Sequence, residues 1–247
     1  MVMRQGSLVS LQLNYYLMPI MVERIIVGPM YANTYIVSTG KKECIIVDPG
    51  ADPEHICSRL ETLNMIPQAI VLTHGHLDHM GAARAIQEHY RERGTIIPVG
   101  VNPADSRYFS ESSSRVHELA FETLGEMGGV LFEELYTAPP DIDFALEDGQ
   151  AILDSDLIVM TTPGHTPGSV CIYSEQRAAL FSGDTLIFTG IGKTDLSDGD
   201  EEALLNSIRT RLYTLPADTR LFPGHGPFSN IEREMQNNTL AEAQRTF

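Results

Sequence analysis

Cysteine is scarce in this sequence, and its three residues, Cys44, Cys57 and Cys171, are scattered with no Cys-x-x-Cys spacing. So few cysteines exclude a cysteine-rich zinc finger. Each stands in an apolar stretch, as in "KKECIIV", so we expect buried and reduced thiols. That usage is typical of a reducing compartment, and we predict a cytoplasmic location.

Basic residues are also few. The chain has 17 Lys and Arg against 33 Asp and Glu, which gives a formal net charge of −16. Such a charge repels phosphate backbones, so nucleic acid is not an expected partner.

Long hydrophobic runs are missing as well. The N-terminal stretch is mildly apolar, but Gln12 and Asn14 interrupt it, and no small-x-small cleavage site follows. It is too short and too polar to span a membrane, so we expect no membrane partner. We interpret residues 1–20 as an extension and residues 21–247 as a single domain. The sequence predicts no particular oligomeric state.

Strand-like and helix-like segments alternate along the 247 residues, which predicts an α/β class with mixed sheets. The sequence "STGKKE" indicates a hairpin between two of the strands. Residues 102–136 have a helical composition, broken by "MGG" at Met127–Gly129, and we expect them to form a helical cap over a pocket. Other predicted elements are strands over Arg24–Gly28, Thr34–Ser38, Cys44–Gly50, Ala69–His74 and Thr95–Val101, and helices over Pro53–Met65, Asp78–Arg91 and Glu201–Leu212.

Four short apolar strands each end in a glycine-containing turn that carries histidine or aspartate. They read "IVLTHGH", "IVMTTPGH", "LFSGD" and "LFPGH". Glycine lets the backbone approach a site closely, and residues just beyond strand ends gather along one sheet edge. We therefore expect one site built from these four turns.

The residues in these turns are metal ligands by type and spacing. His74 and His76 are two positions apart, so in an extended chain both imidazoles can bind one ion. Asp78 and His79 begin the next predicted helix and can hold a second ion, while His165, His225 and Asp184 supply further donors. A mixed N/O set without thiolate suits zinc, iron or manganese and argues against a purely structural zinc. The remaining histidines, His55, His89 and His117, are interpreted as surface or satisfied core residues.

"THGHLDH", followed downstream by His165, Asp184 and His225, resembles the metallo-β-lactamase superfamily. "FSGDTLIFTGIGKTDLSDGD" and "FPGHGP" resemble its glyoxalase II-like branch, the hydroxyacylglutathione hydrolases. The resemblance implies an αββα sandwich with two mixed β-sheets, outer helices and a dinuclear site at one edge. It also implies that His74, His76 and His165 bind the first metal. Asp78, His79 and His225 would bind the second, and Asp184 would bridge the two.

The resemblance also implies the chemistry. Two divalent ions, with zinc favoured over iron or manganese, would lower the pKa of a shared water to near 7. The resulting hydroxide would attack an acyl thioester such as a 2-hydroxyacyl glutathione, with Asp78 as the catalytic residue that orients it. Asp48 would support the ligands from behind them, although a turn-forming aspartate before Pro-Gly is an equally good interpretation. Lys193 would contact the substrate, the alternative being a solvated loop lysine.

Toward its C-terminal end the resemblance thins. Glyoxalase II enzymes carry a further helical domain whose basic residues hold glutathione, whereas only twenty residues follow Pro227, with Arg233 and Arg245 as their basic side chains. Tyr108 and Phe109 of the cap are candidates to line the substrate channel. A mononuclear iron persulfide dioxygenase and a lactonase of the same superfamily remain alternative functions. A non-enzymatic metal module would need a closed coordination sphere, which seven ligands for two ions do not provide.

Overall fold

The computed structural model describes residues 21–195 and 198–242, which form two large β-sheets with helices against them. The extension predicted for residues 1–20 and the basic residue Arg245 lie outside the described residues. Within the described ranges, no helix has the length and apolarity needed to cross a membrane.

The first sheet has six strands in the order β1-β2-β3-β4-β5-β6. The predicted hairpin is confirmed, because β2 and β3 pair antiparallel across it, whereas β3 to β6 run parallel. The strands are β1 Val22–Val27, β2 Ala32–Ser38, β3 Glu43–Val47, β4 Ile66–Val71, β5 Val99–Val101 and β6 Phe144–Ala145. The helices between them are α1 Pro53–Leu63, α2 Leu77–Met80, α3 Ala83–Arg91, a 3₁₀ helix Pro103–Phe109, α4 Ser113–Glu122 and α5 Glu126–Leu135.

The second sheet has five strands in the order β13-β12-β9-β8-β7, and β10 and β11 form a separate hairpin. Its strands are β7 Ile158–Thr161, β8 Val170–Ser174, β9 Ala179–Gly183, β12 Arg220–Pro223 and β13 Ser229–Asn230, with β10 Leu186–Ile187 and β11 Gly190–Ile191. The helix predicted over Glu201–Leu212 is present as α6 Glu201–Ser207, continued by one π-helical segment Ile208–Leu212. The chain continues with α7 Ile231–Asn237 and α8 Thr239–Glu242.

Alternating side chains on the strands build a four-layered αββα arrangement. In β3, Ile45 faces the core between the sheets, whereas Cys44 and Ile46 face the core beneath α1 and α3. In β9, Phe181 joins the core between the sheets, and Leu180 joins the core with α6. This period of two is what a strand buried on both faces requires. The predicted αββα sandwich is therefore confirmed.

All three cysteines are buried free thiols, as expected. Burial raises the pKa of the Cys44 thiol to about 12 and that of Cys57 and Cys171 to about 11. Such thiols are unreactive at neutral pH, so no cysteine chemistry competes with the site described below.

The helix predicted over Asp78–Arg91 is wrong as a single element. The backbone N–H of Ala82 donates to the carbonyl of Pro49 at 2.9 Å, which ends α2 before α3 begins. The strand predicted over Thr95–Val101 is shorter than expected. It begins only at Val99 because Pro98 has no N–H to donate to a ladder.

The helical break predicted at Met127–Gly129 is wrong too. Those residues lie inside α5, and the break is at the preceding Gly125, whose φ of 66° is outside the helical region. An interior glycine costs about 1 kcal/mol against alanine, and packing of α5 on α4 outweighs that cost. The aromatic contact between Phe121 and Phe132, with ring centroids 6.0 Å apart, is part of that packing.

Candidate metal centre

Five of the seven predicted ligands stand in turns that follow β4, β7, β9 and β12, and Asp78 and His79 stand on α2 directly after the first of these turns. The fold brings these turns together. An isolated bridge pairs Ala32 with His225, and Asn33 N donates to Gly224 O at 2.7 Å. These contacts fix the last turn of the second sheet against the start of β2. One edge of the sandwich therefore holds side chains from both sheets, as the four turn motifs predict.

His74, His76 and His165 form one group, here called the first cluster, whose ligand atoms lie within 4.8 Å of one another. The Nδ1 of His76 lies 2.9 Å from the Nε2 of His165. The opposite ring nitrogens are occupied, because His165 Nδ1 donates to the Lys193 carbonyl at 2.7 Å and His76 Nε2 lies 3.3 Å from the Tyr108 hydroxyl. In that tautomer two nitrogen lone pairs face each other, an arrangement that a cation between them stabilises.

Asp78, His79 and His225 form the second cluster, again with ligand atoms within 4.8 Å. The Nε2 of His225 lies 3.1 Å from Asp78 Oδ2 and 3.2 Å from the Nε2 of His79. Both residues on α2 point into this cluster, whereas His74 and His76 point into the first. The two pairs of residues that the sequence analysis separated, His74 with His76 and Asp78 with His79, thus belong to two different clusters.

Asp48 lies directly behind the second cluster. Its buried carboxylate accepts the Nδ1–H of His79 at 3.1 Å and two hydrogen bonds from Thr73, at 2.7 Å from N and 2.6 Å from Oγ1. These contacts fix the tautomer of His79 so that Nε2 carries the lone pair. Because its oxygens are occupied, Asp48 supports His79 and is a poor ligand itself, even though it lies within 4.8 Å of His74 and His79 atoms.

Asp184 lies between the two clusters. Its Oδ2 is 3.8 Å from His165 Nε2 and 3.6 Å from His225 Nε2, and its Oδ1 is 3.6 Å from His79 Nε2. A side chain at Gly224 would place its Cβ 2.2 Å from Asp184 Oδ1, so only glycine fits there. The carboxylate is thus in reach of both clusters.

Two buried polar atoms in this centre have no hydrogen-bond partner among the described residues, namely His74 Nε2 and Asp184 Oδ1. Buried polar atoms are rarely left unpaired, because each costs about 1–3 kcal/mol. Both atoms are acceptors of metal-ligand type. The donor set therefore fits divalent metal ions, and the His/Asp clusters in this fold indicate that the chain binds them.

The electrostatics of the two clusters differ. Burial and the neighbouring imidazoles hold the pKa of His74 and His76 well below the usual range, so both stay neutral. Burial also acts to lower the pKa of His79, but Asp78, Asp184 and Asp48 outweigh it and raise that pKa to about 10. The second cluster thus attracts positive charge strongly, whether a proton or a metal ion.

A cavity of about 400 Å³ opens over both clusters. Its metal-cluster side carries His76, Asp78, His165, Asp184 and His225, and Lys193 lies on its wall with an exposed side chain. The other lining residues are mostly apolar: Pro29, Met30, Tyr31, Leu77, His117, Ala120, Phe121, Thr123, Leu124, Ile187, Ile191 and Gly192. Helix α4 and the β10–β11 hairpin therefore form much of the wall.

The expectation that Tyr108 and Phe109 line the channel is wrong. Tyr108 is buried, and its hydroxyl donates to Asp198 at 2.6 Å beneath His76. Phe109 packs partly buried against the core under α1 and α3. The segment predicted as a cap reaches the cavity one element later, through α4, because the 3₁₀ helix lies below the cavity floor.

Several residues at the centre escaped the sequence interpretation. Thr73 contacts both Asp48 and His74, with its Oγ1 3.0 Å from His74 Nδ1, and its place beside the first histidine is the only sequence signal for it. Tyr108 contacts His76, and Asp198 accepts a hydrogen bond from Tyr108, both from distant parts of the chain. Nothing in their sequence context indicates this. His117, interpreted as a satisfied core residue, is buried and bonded to the Tyr108 carbonyl, but it also lines the cavity.

Comparison with known proteins gives a consistent result. Residues 27–225 match the sequence model of the metallo-beta-lactamase superfamily. The chain is 32% identical to the hydroxyacylglutathione hydrolase GloC of Haemophilus influenzae, over 90% of this chain and 99% of that one.

Two solved structures are similar as well. The B3 metallo-beta-lactamase BLEG-1 superposes with a TM-score of 0.75 at 35% identity, covering 89% of this chain and 99% of that one. The protein TTHA1623, solved in a di-iron-bound form, superposes with a TM-score of 0.74 at 34% identity, covering 88% of this chain and 98% of that one.

Proposed function

Since this chain belongs to the metallo-β-lactamase superfamily, we propose that it is a dinuclear metal-dependent hydrolase that cleaves a small acyl thioester, such as a 2-hydroxyacyl glutathione. The observation that carries the proposal is the pair of adjoining clusters beneath one cavity, with Asp184 between them.

In this proposal His74, His76 and His165 would hold one ion, Asp78, His79 and His225 would hold the other, and Asp184 would contribute to both sites. Zinc suits the donors, and the di-iron form of a 34% identical protein supports iron as the alternative. Elemental analysis of protein purified without added metal, and again after metal loading, tests the stoichiometry. Two equivalents are expected, and one equivalent after loading would contradict a dinuclear site.

When bound, divalent ions would supply hydroxide at neutral pH and Lewis-acid activation of the scissile carbonyl. The carboxylate of Asp78 lines the cavity and orients the attacking water by accepting a hydrogen bond from it. Asp48 holds His79 in the tautomer that this arrangement needs. The apolar walls exclude bulk water, which strengthens the interactions of these carboxylates.

Two observations support a thioester with an anionic portion. A relative with nearly full coverage is named a hydroxyacylglutathione hydrolase, and Lys193 stands on the cavity wall. An exposed contact of this kind contributes about 0–1 kcal/mol. We therefore expect Lys193→Ala to raise KM several-fold with little change in kcat, because the contact is shared by ground and transition states. Steady-state kinetics on S-lactoylglutathione measure this, and a fall in kcat alone would contradict it.

A substrate panel tests the function itself. S-lactoylglutathione is assayed at matched metal content against a lactone, a persulfide with oxygen consumption recorded, and a β-lactam, the last because BLEG-1 is 35% identical. We expect thioester turnover well above that of free metal. No thioester turnover, with consumption of one of the others, would reject the thioesterase assignment. Persulfide oxidation by protein with one iron would favour the dioxygenase.

A further inference from the structure

A buried carboxylate outside the two clusters joins the turns that carry the first one. Asp105, on the 3₁₀ helix of the cap, has no solvent exposure. Its Oδ2 accepts hydrogen bonds from Gly75 N and from Thr166 Oγ1, both at 2.8 Å. Its Oδ1 accepts one from Gly168 N at 2.7 Å. No described histidine or candidate ligand is bonded to it, so the clusters themselves do not account for its place.

The three donors lie beside the ligands of one cluster only. Gly75 stands between His74 and His76, and Thr166 follows His165 directly. The first turn belongs to the six-stranded sheet and the second to the five-stranded sheet. The carboxylate of Asp105 therefore binds two ligand-bearing turns that belong to opposite halves of the sandwich. These hydrogen bonds hold the two turns at a fixed separation.

The contact with the second turn is tight as well as polar. A Cβ at Gly168 would lie 2.6 Å from both Cγ and Oδ1 of Asp105, so the turn backbone rests on the carboxylate. Burial raises the pKa of Asp105, and the three donors oppose that rise. An amide in this place cannot satisfy the same set, since its NH₂ would face an N–H or O–H donor.

We propose that Asp105 is a positioning residue for the first cluster, which sets the distance between the His74–His76 turn and the His165 turn and thereby the affinity of that cluster for a divalent ion. The consequence is specific. Loss of Asp105 lowers the affinity of the first cluster for its metal ion and leaves the affinity of the second cluster unchanged.

The test is a titration of the metal-free protein with Zn²⁺ in competition with a chelator, for the wild type and Asp105→Asn. We expect the affinity for one equivalent to fall about 10–100-fold, the range found when hydrogen-bonded partners of ligating residues are lost, and the affinity for the other to stay unchanged. In a His225→Ala background, which disables the second cluster, Asp105→Asn should weaken the remaining equivalent by the same factor.

Asp156→Asn is the matched control, because it also removes a mostly buried carboxylate, but one that binds Arg177 away from both clusters. It should lower stability and leave both affinities unchanged. Thr166→Val removes one of the three donors and should weaken the same equivalent by less. The proposal is overturned if Asp105→Asn and Thr166→Val bind both equivalents as the wild type does, or if Asp156→Asn loses as much affinity. These outcomes are read from metal binding alone, so they are independent of the thioester assay.

Discussion

Asp184 lies between the two clusters, and its oxygens face histidines of each. If it bridges two ions as proposed, both clusters depend on it. Asp184→Ala should weaken retention of both ions by more than the roughly 10–100-fold that loss of an outer partner costs, and hydrolysis should become undetectable. Elemental analysis after dialysis and a turnover assay measure this. Asp195→Ala, an exposed loop carboxylate nearby, is the control and should match the wild type. Full metal content in Asp184→Ala would exclude a bridging role.

His117 and His89 offer a second contrast between residues of one type. His117 is buried, and its Nε2 donates to the Tyr108 carbonyl at 3.1 Å, whereas His89 is half-buried on α3. We expect His117→Ala to cost about 1–3 kcal/mol, because the buried carbonyl loses its donor, and to raise KM by opening the cavity wall. His89→Ala should change neither the stability nor KM. Melting temperatures and KM values decide, and equal effects of the two variants would contradict this assignment.

At the scale of elements, the junction of α4 and α5 depends on Gly125. Its φ of 66° and ψ of −144° are close to a region that is essentially restricted to glycine. A Cβ there would meet nothing within 4 Å, so Gly125→Ala tests backbone strain alone, and we expect a loss of about 1–3 kcal/mol.

The control for that variant lies four residues along the same helix. Gly129 is inside α5, where an added Cβ would also meet nothing within 4 Å, and Gly129→Ala should add up to about 1 kcal/mol through helix propensity. Chemical denaturation of both variants measures the change in unfolding free energy, which should be negative for Gly125→Ala and positive for Gly129→Ala. The same sign for both would mean that the junction is not strained.

The elements that could be predicted from the sequence are those marked by local residue patterns. The strands before His74, His165, Asp184 and His225 could be predicted because apolar runs and glycine turns are local features. The division of the predicted helix between α2 and α3 could not, because its cause is the distant carbonyl of Pro49.

The same distinction holds at the site. Ligand types and spacing are visible in short motifs, whereas Asp105 meets Gly75 across 30 positions and Gly168 across 63. Tyr108 and Asp198 are 90 positions apart. Such contacts depend on how the 3₁₀ helix Pro103–Phe109 docks against the strand ends, which local residue patterns do not encode.

At the scale of the whole molecule, Arg177 connects the two halves, because it forms an ion pair within the second half and a hydrogen bond to the first. Arg177 binds the carboxylate of Asp156 through Nε at 2.7 Å, and its Nη1 donates to the carbonyl of Ser38 at the end of β2. Both side chains are mostly buried. Removing one partner of such a pair costs about 3–5 kcal/mol, so we expect Asp156→Asn to destabilise the protein at neutral pH by that order.

This effect should depend on pH. Burial alone would raise the pKa of Asp156, but hydrogen bonds from Arg177 and Ser174 lower it below its usual value. The pair therefore contributes stability above the unfolded pKa of about 3.9 and loses it as the pH falls through the folded pKa. The difference in unfolding free energy between wild type and Asp156→Asn should be largest near neutral pH and shrink below about pH 4. A difference that stays constant across this range would contradict the charge assignment.

The side chains that would bind metal and the side chains that would touch a substrate's body come from different parts of the chain. The predicted ligands stand in turns at the strand ends and on α2, whereas the cavity is lined from α4 and the β10–β11 hairpin by Ala120, Phe121, Leu124, Ile187 and Ile191. A mutation in this second set changes the shape of the cavity and leaves the reacting groups in place. Substitutions in these walls can therefore change which substrate is preferred by small steps, while the metal-binding residues stay unchanged. Laboratory selection on a new substrate should gather its first substitutions there.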